Sequence, residues 1–113
     1  MGNVPNKNPN LLSVAGAIIA QPPAANYHII APGAIALTLA APDRDEIELT
    51  FIDEGGHAHT IVCTGAGSPP TAGLNGGIAN NKLTFNGTPG SSCTLISRNG
   101  FWWGAMLNGV AVS

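Results

Sequence analysis

The sequence predicts an all-β protein, a compact β-sandwich or barrel-like domain that consists of two similar hairpin units and carries an extended N-terminal arm. Fifteen glycines and nine prolines occur among its 113 residues, while the helix-favouring lysine, glutamate, glutamine and arginine are scarce. Ile47, Leu49 and Phe51 alternate with polar residues, and this period of two is typical of a half-buried strand. We therefore predict an arm and linker over residues 1–32 and a β domain over residues 33–113.

Charge is scarce in this chain. Charged residues make up 9% of the sequence, and the formal net charge is -2, whereas a typical soluble domain contains about 25% charged residues. A surface so poor in charge is expected to be covered by copies of the same chain or by a partner. The four lysines and arginines are not clustered as phosphate binding requires, so the composition argues against a nucleic-acid partner.

The N-terminal segment is predicted to be extended. Residues 1–10 are polar and contain two prolines, which suits an arm that becomes ordered against a neighbour. The apolar residues 11–19 are compatible with a strand or a short helix, and we expect an extended segment that lies on another subunit. Residues 21–26 contain two adjacent prolines and are predicted to be a linker, which leads to a short strand at residues 27–30.

The longest apolar run, residues 11–20, is too short for a membrane span, which needs about 20 residues. As the core of a signal peptide it has only Lys7 before it, and Pro22 and Pro23 blur the small-residue cleavage pattern. The sequence thus predicts neither a membrane partner nor secretion, and the protein is expected to be made in the cytoplasm.

A strand, a turn and a hairpin are predicted between residues 33 and 63. Residues 35–39 alternate and end at a proline turn. Residues 47–52 are predicted to form the first strand of the hairpin, and residues 53–56 reverse the chain because two glycines tolerate positive φ angles. Residues 57–63 form the return strand.

The last third of the chain repeats this order. A strand at residues 83–85, a second strand at 93–97, a turn at Asn99 and Gly100 and a return strand follow one another. The duplication predicts β layers that cover each other's open faces. Between the two units, residues 64–81 form a long loop rich in glycine, proline and asparagine, of a kind that often contacts a partner.

Phe101, Trp102 and Trp103 form the densest aromatic cluster. On a strand, Trp102 points opposite to its two neighbours, so both faces of this segment require cover. We expect an interior strand or a subunit contact. A tryptophan that stacks on a sugar ring is the alternative use.

The pair His57 and His59 suggests one metal hypothesis. Two imidazoles are too few for a tight site, but three chains that met at an axis would supply six nitrogens. The simpler interpretation is that these histidines are hydrated or bonded to Glu48, Thr50 or Asp53, and we predict no metal and no cofactor. A turn of two or four residues places both histidines opposite the core face, whereas a one-residue bulge reverses this.

The remaining candidates for chemistry do not form a catalytic motif. Cys63 follows apolar residues on a predicted buried strand, which does not favour a nucleophilic thiolate. We expect Cys63 and Cys93 to be buried free thiols, with one disulfide as the alternative in an oxidising compartment. The chain is therefore not expected to be an enzyme.

Several motifs, taken in order, resemble small β-structured modules of tailed-bacteriophage virion proteins. These are Leu37–Pro42, Asp45–Gly55, Leu83–Phe85, Cys93–Ile96 and Asn99–Trp103. The modules read as leucine-threonine-leucine-proline, a strand that ends in a turn rich in lysine or aspartate, and a final asparagine-glycine-x-tryptophan strand. This chain has Ile52 and Asp53 where the family usually has lysine.

The resemblance implies a capsid decoration or cement protein on the virion surface, assembled as a homotrimer and bound to the major capsid protein. A tail fibre, spike or receptor-binding tip that binds glycans is the alternative within the family. The subunit or capsid contacts are then expected at eight apolar residues. These are Leu11, Leu12, Val14, Ile18, Ile19, Phe101, Trp102 and Trp103.

Overall fold

A computed structural model describes residues 10–18, 24–63, 74 and 80–113 of the chain. These residues form ten strands and no helix, which confirms the predicted all-β class. The strands are β1 (Asn10–Leu12), β2 (Gly16–Ile18), β3 (Ala24–Ile29), β4 (Ala36–Leu39), β5 (Glu48–Asp53), β6 (Thr60–Cys63), β7 (Lys82–Phe85), β8 (Ser92–Arg98), β9 (Phe101–Asn108) and β10 (Val110–Val112). Within the described ranges there is no helix long and apolar enough to cross a membrane.

The strands belong to two five-stranded sheets. One sheet has the order β1-β3-β5-β8-β9 and the other has the order β10-β7-β6-β4-β2. The first six strands alternate between the sheets, and within each sheet they pair in parallel. Ala24 pairs with Glu48 and Ala36 pairs with Thr60, an advance of 24 positions in each sheet. The preceding pairs, Asn10 with Tyr27 and Gly16 with Leu37, advance by 17 and 21 positions. The last four strands pair antiparallel and complete both sheets.

The predicted hairpin between β5 and β6 does not form. β5 pairs with β3 and β8, whereas β6 pairs with β4 and β7 in the other sheet. The segment between the two strands crosses from one sheet to the other, which places Phe51 and Ile61 on two sides of one core. The period of two identified the buried face of β5 correctly, but it carries no information about which strand is the neighbour.

The second predicted turn is a true hairpin. β8 and β9 pair antiparallel up to Arg98 and Phe101, and the turn residues Asn99 and Gly100 have φ angles of 54° and 80°. Positive φ at both central positions is the geometry in which asparagine and glycine are preferred. The two units predicted as similar hairpins therefore differ in how their strands pair.

Part of the predicted arm and linker contributes strands to the sheets. β3 lies between β1 and β5, and its Tyr27 and Ile29 are buried. The ring of Tyr27 stacks on Phe51 with a centroid distance of 5.1 Å and an interplanar angle of 11°. The predicted boundary at residue 33 thus falls after strands that already belong to the core. Residues 1–9 lie outside the described residues.

Both sheets contribute to one hydrophobic core. Trp102, Phe51 and Phe85 are its largest fully buried side chains. Each large apolar side chain stabilises the fold by about 1.5–3 kcal/mol when it leaves water. The indole N–H of Trp102 donates to the carbonyl oxygen of Ala40 at 2.8 Å, so its one polar group is satisfied.

Candidate functional site

The apolar residues predicted as contacts near the N-terminus divide between surface and core. Val14 is 74% exposed and Leu11 is 53% exposed, whereas Leu12 is half-buried and Ile18 is buried. Ile19 lies outside the described residues. Among the described members of this group, Leu11 and Val14 are therefore the most accessible to a partner.

The two tryptophans point in opposite directions, as alternation on a strand requires. Trp102 is fully buried, whereas Trp103 is 38% exposed. The indole N–H of Trp103 donates to the carbonyl oxygen of Arg98 at 3.0 Å. Phe101 meets Trp103 edge to face, with a centroid distance of 6.4 Å. The exposed ring of Trp103 is thus held in one orientation.

Met106, also on β9, shares a sheet face with the half-buried Phe101 and the exposed Trp103. Phe101, Trp103 and Met106 pair with Arg98, Ile96 and Thr94, which alternate along β8 and so share the face that points away from the core. A bulge between Thr94 and Leu95 inserts one residue, and this brings Met106, which is 70% exposed, onto the same face as Trp103. We call Phe101, Trp103 and Met106 the β9 patch. Met106 was not among the predicted contacts, because the sequence does not reveal the bulge.

A second cluster, of polar residues, is centred on Asp53 at the end of β5. Its carboxylate is fully buried and accepts two backbone bonds, from Gly56 N–H to Oδ1 at 2.9 Å and from His57 N–H to Oδ2 at 3.1 Å. Its own backbone N–H donates to Ser91 O at 2.8 Å, and its carbonyl accepts from Gly90 N–H at 2.7 Å. Asp53 therefore connects the segment 54–59, which joins β5 to β6, with the segment 86–91, which joins β7 to β8.

His59 is the second fully buried polar residue of this cluster. Its Nδ1 accepts the backbone N–H of Ile35 at 3.1 Å, and its Nε2 lies 3.4 Å from Asp53 Oδ1 without a hydrogen bond. Its ring packs edge-on against Phe85, with a centroid distance of 6.2 Å. Burial lowers the pKa of His59, while the Asp53 carboxylate partly opposes this and the neighbouring His57 adds to it. His59 is thus favoured as a neutral side chain.

These contacts correct the prediction that both histidines lie opposite the core face. The segment 54–59 crosses between sheets, so the alternation that begins at Phe51 does not continue through it. His59 faces the core and bonds in the Asp53 cluster, whereas His57 is half-buried, with its ring 5.9 Å from that of His59. Of the three bonding partners predicted for the histidines, Asp53 lies 3.4 Å from His59 Nε2 without a hydrogen bond and accepts the backbone N–H of His57. Thr50 bonds Thr94 instead.

The geometry does not favour the axial metal hypothesis. Among the described residues, no three histidine, cysteine, aspartate or glutamate side chains are placed to hold an ion. His59 is enclosed, so of the two predicted ligands His57 alone could reach a symmetry axis.

The third histidine, His28, pairs with Glu54, the residue that follows Asp53 in the chain. Its Nδ1 lies 2.6 Å from Glu54 Oε2, and both side chains are partly exposed. Asp53 thus lies beside His59 inside the core, and Glu54 pairs with His28 at the surface.

Cys63 and Cys93 are free and buried. Burial raises the pKa of each thiol to about 12, so neither forms a thiolate near neutral pH. This agrees with the prediction of buried free thiols rather than reactive groups.

No family model matches the chain, and no curated protein matches it either.

Proposed function

We propose that this chain is a non-enzymatic structural protein of a tailed-bacteriophage virion. It binds the outer surface of the capsid as a decoration or cement protein, stabilises the shell, and assembles as a homotrimer. In this proposal the two sheets form a β-sandwich, and the residues before it lie along the major capsid protein. The phage role is supported by the motifs between Leu37 and Trp103 that resemble virion modules.

The observation that carries the assembly role is the β9 patch. Phe101, Trp103 and Met106 lie together on an open sheet face, although apolar side chains of this size are usually buried. Covering each of them removes apolar area from water at about 25 cal/mol per Å². A second copy or a capsid subunit on this face would therefore be stabilised.

The N-terminal strands of the chain support a second contact. Leu11 and Val14 are exposed, and no lysine, arginine, aspartate or glutamate occurs between Lys7 and Asp43. Exposed strands in natural proteins usually carry charges that discourage contact with other chains. We assign the β9 patch to the trimer and the Leu11 and Val14 surface to the capsid.

The non-enzymatic role is supported by how the buried polar groups are used. Asp53, His59 and Ser97 all bond backbone groups that hold connections between strands. Apart from His59 Nε2, which has no hydrogen bond, these polar atoms thus have structural partners inside the fold.

The solution mass tests the assembly. Light scattering should give three times the chain mass of 11.4 kDa. The double variant Trp103→Gln/Met106→Gln should dissociate, because it places polar groups in the contact. Ile30→Gln is the matched control, since Ile30 is also 38% exposed but lies outside the β9 patch. A monomeric wild-type protein at micromolar concentration, or a double variant that stays trimeric, would overturn the role of the patch.

The position on a particle tests the virion role. Electron microscopy of a phage that carries this protein should show its density at regular positions over the capsid shell. Density confined to the tail tip would contradict decoration and support the alternative.

The orientation of Trp103 favours that alternative, a glycan-binding tip of a tail fibre or spike. Its ring is exposed and fixed by the bond to Arg98, and such a face suits stacking against a sugar. A glycan array should then give binding that Trp103→Ala abolishes and Ile30→Ala retains. An array without binding would remove this candidate.

A further inference from the structure

The Asp53 cluster has a property that the proposed virion role does not use. Two fully buried titratable side chains, Asp53 and His59, face each other at the point where segments 54–59 and 86–91 meet. The lysine, arginine, aspartate and glutamate side chains in the rest of the described chain are exposed.

We propose that the Asp53–His59 pair is an acid-sensitive switch, which holds segments 54–59 and 86–91 together near neutral pH and releases them on acidification while the sheets stay folded. The inference rests on the fold and not on the virion role.

The hydrogen bonds define the protonation state of the closed form. Ile35 N–H donates to Nδ1 of His59, so this nitrogen carries no proton. The proton of the neutral ring therefore resides on Nε2, which points toward Asp53 Oδ1 at 3.4 Å. The Asp53 carboxylate in turn holds the backbone N–H groups of Gly56 and His57.

In the closed form, Nδ1 of His59 cannot take up a proton without losing its hydrogen bond to Ile35. A second proton on His59 must bind Nδ1, where it would meet the N–H of Ile35 and break that bond. The imidazolium would also be fully buried, which is costly even beside a carboxylate. A form in which segment 54–59 has moved out leaves His59 in water, where it takes up the proton freely.

The sign of the effect follows from this difference. His59 binds protons less readily when closed than when open, because its pKa is lowered by burial. The closed form is therefore favoured above the ordinary histidine pKa of about 6.5. It loses stability as the pH falls from that value toward the lowered pKa of the closed form.

The other groups around His59 do not cancel the effect. Segment 54–59 contributes His57, whose proximity lowers the pKa of His59 further. β7 contributes the ring of Phe85, and the connection before β4 contributes the N–H of Ile35. Asp53 on β5 is the one described acidic group that faces the ring. Its carboxylate raises the pKa of His59, but burial lowers it by more.

The opening is local because the contacts that Asp53 makes lie in connections rather than in strands. Gly56, His57 and Gly90 donate to it from the two segments. The ladders of β5 with β3 and β8 involve other residues over most of their length.

Amide hydrogen exchange followed by NMR tests the proposal. The probes are the amides of Ile35, Gly56, His57 and Gly90, and the references are the strand amides of Leu49 and Leu95. Expressed as protection factors, the probes should lose up to about tenfold for each unit that the pH falls below 6.5, as one linked proton requires. The references should keep their protection. At pH 7.5, ¹⁵N shifts should show His59 neutral with its proton on Nε2.

Two variants distinguish a pH response of the Asp53–His59 pair from a response of the other histidines. His59→Asn retains an acceptor for Ile35 N–H but does not titrate, so its probe protection should not change with pH. His28→Asn removes the surface pair with Glu54 and should keep the wild-type response. Wild-type probes that keep their protection at pH 5.5, references that lose it in parallel, or a His59→Asn protein with the full response would each overturn the proposal. If His59→Asn does not fold, the wild-type probes and the ¹⁵N shifts of His59 decide alone.

Discussion

Pro89 packs directly against Gly56, and this contact joins the same two segments that Asp53 bonds. A Cβ atom added to Gly56 would lie 2.7 Å from Pro89 Cγ, a separation that real side chains do not reach. Gly56 also has a φ angle of 78°, in the left-handed region. Glycine is therefore required here for two reasons, its backbone angle and the close approach of a rigid ring.

The first prediction concerns Gly56→Ala. The positive φ alone should cost about 1–2 kcal/mol of unfolding free energy, and overlap with Pro89 should add about 1–3 kcal/mol. Urea denaturation followed by circular dichroism measures the sum.

Two glycines serve as controls for this variant. Gly90 has a φ of 90° but open space around its Cβ position, so Gly90→Ala reports the backbone cost alone. Gly33 has neither a positive φ nor a close neighbour, so Gly33→Ala should be nearly neutral. A Gly56→Ala cost equal to that of Gly90→Ala would show that the Pro89 contact does not matter.

The close packing of segments 54–59 and 86–91 was not foreseeable from sequence. Alternation located β5 correctly, and the glycines marked a turn after it, but a turn that crosses between sheets and one that closes a hairpin share the same composition. The buried state of Asp53 was also missed, because charged side chains are almost always exposed. A weak signal existed: an aspartate three residues before a glycine can accept its N–H, as Asp53 does from Gly56.

The second prediction concerns Ser97, a fully buried hydroxyl. Its Oγ accepts the N–H of Ile47 at 2.8 Å and donates to the carbonyl of Arg44 at 2.7 Å. Ser97→Ala leaves both backbone groups without this partner and should destabilise the protein by about 1–3 kcal/mol. Ser92→Ala, on the same strand but half-buried, should cost less than about 0.5 kcal/mol. Equal denaturation midpoints for the two variants would contradict a structural role for Ser97.

The third prediction concerns the cysteines. Because burial raises the pKa of both thiols to about 12, iodoacetamide at pH 8 should leave native Cys63 and Cys93 unmodified. Both should react within minutes in concentrated urea, where the thiols are exposed. Mass spectrometry counts the labels. Rapid labelling of the native protein would show that the core opens easily, and unfolded protein that takes no label would reveal a disulfide.

The last prediction compares the two neighbouring tryptophans. Trp102→Phe leaves a cavity in the core and removes the bond to Ala40, so it should destabilise the fold by about 2–4 kcal/mol. Trp103→Phe keeps an exposed aromatic ring and should change stability by less than about 0.5 kcal/mol. Both are measured by urea denaturation with circular dichroism, at dilutions where light scattering shows monomers, so that subunit contacts do not contribute. If Trp103→Phe were the more damaging change under these conditions, the assignment of Trp102 to the core and Trp103 to the surface would be wrong, and the β9 patch would lose its central residue.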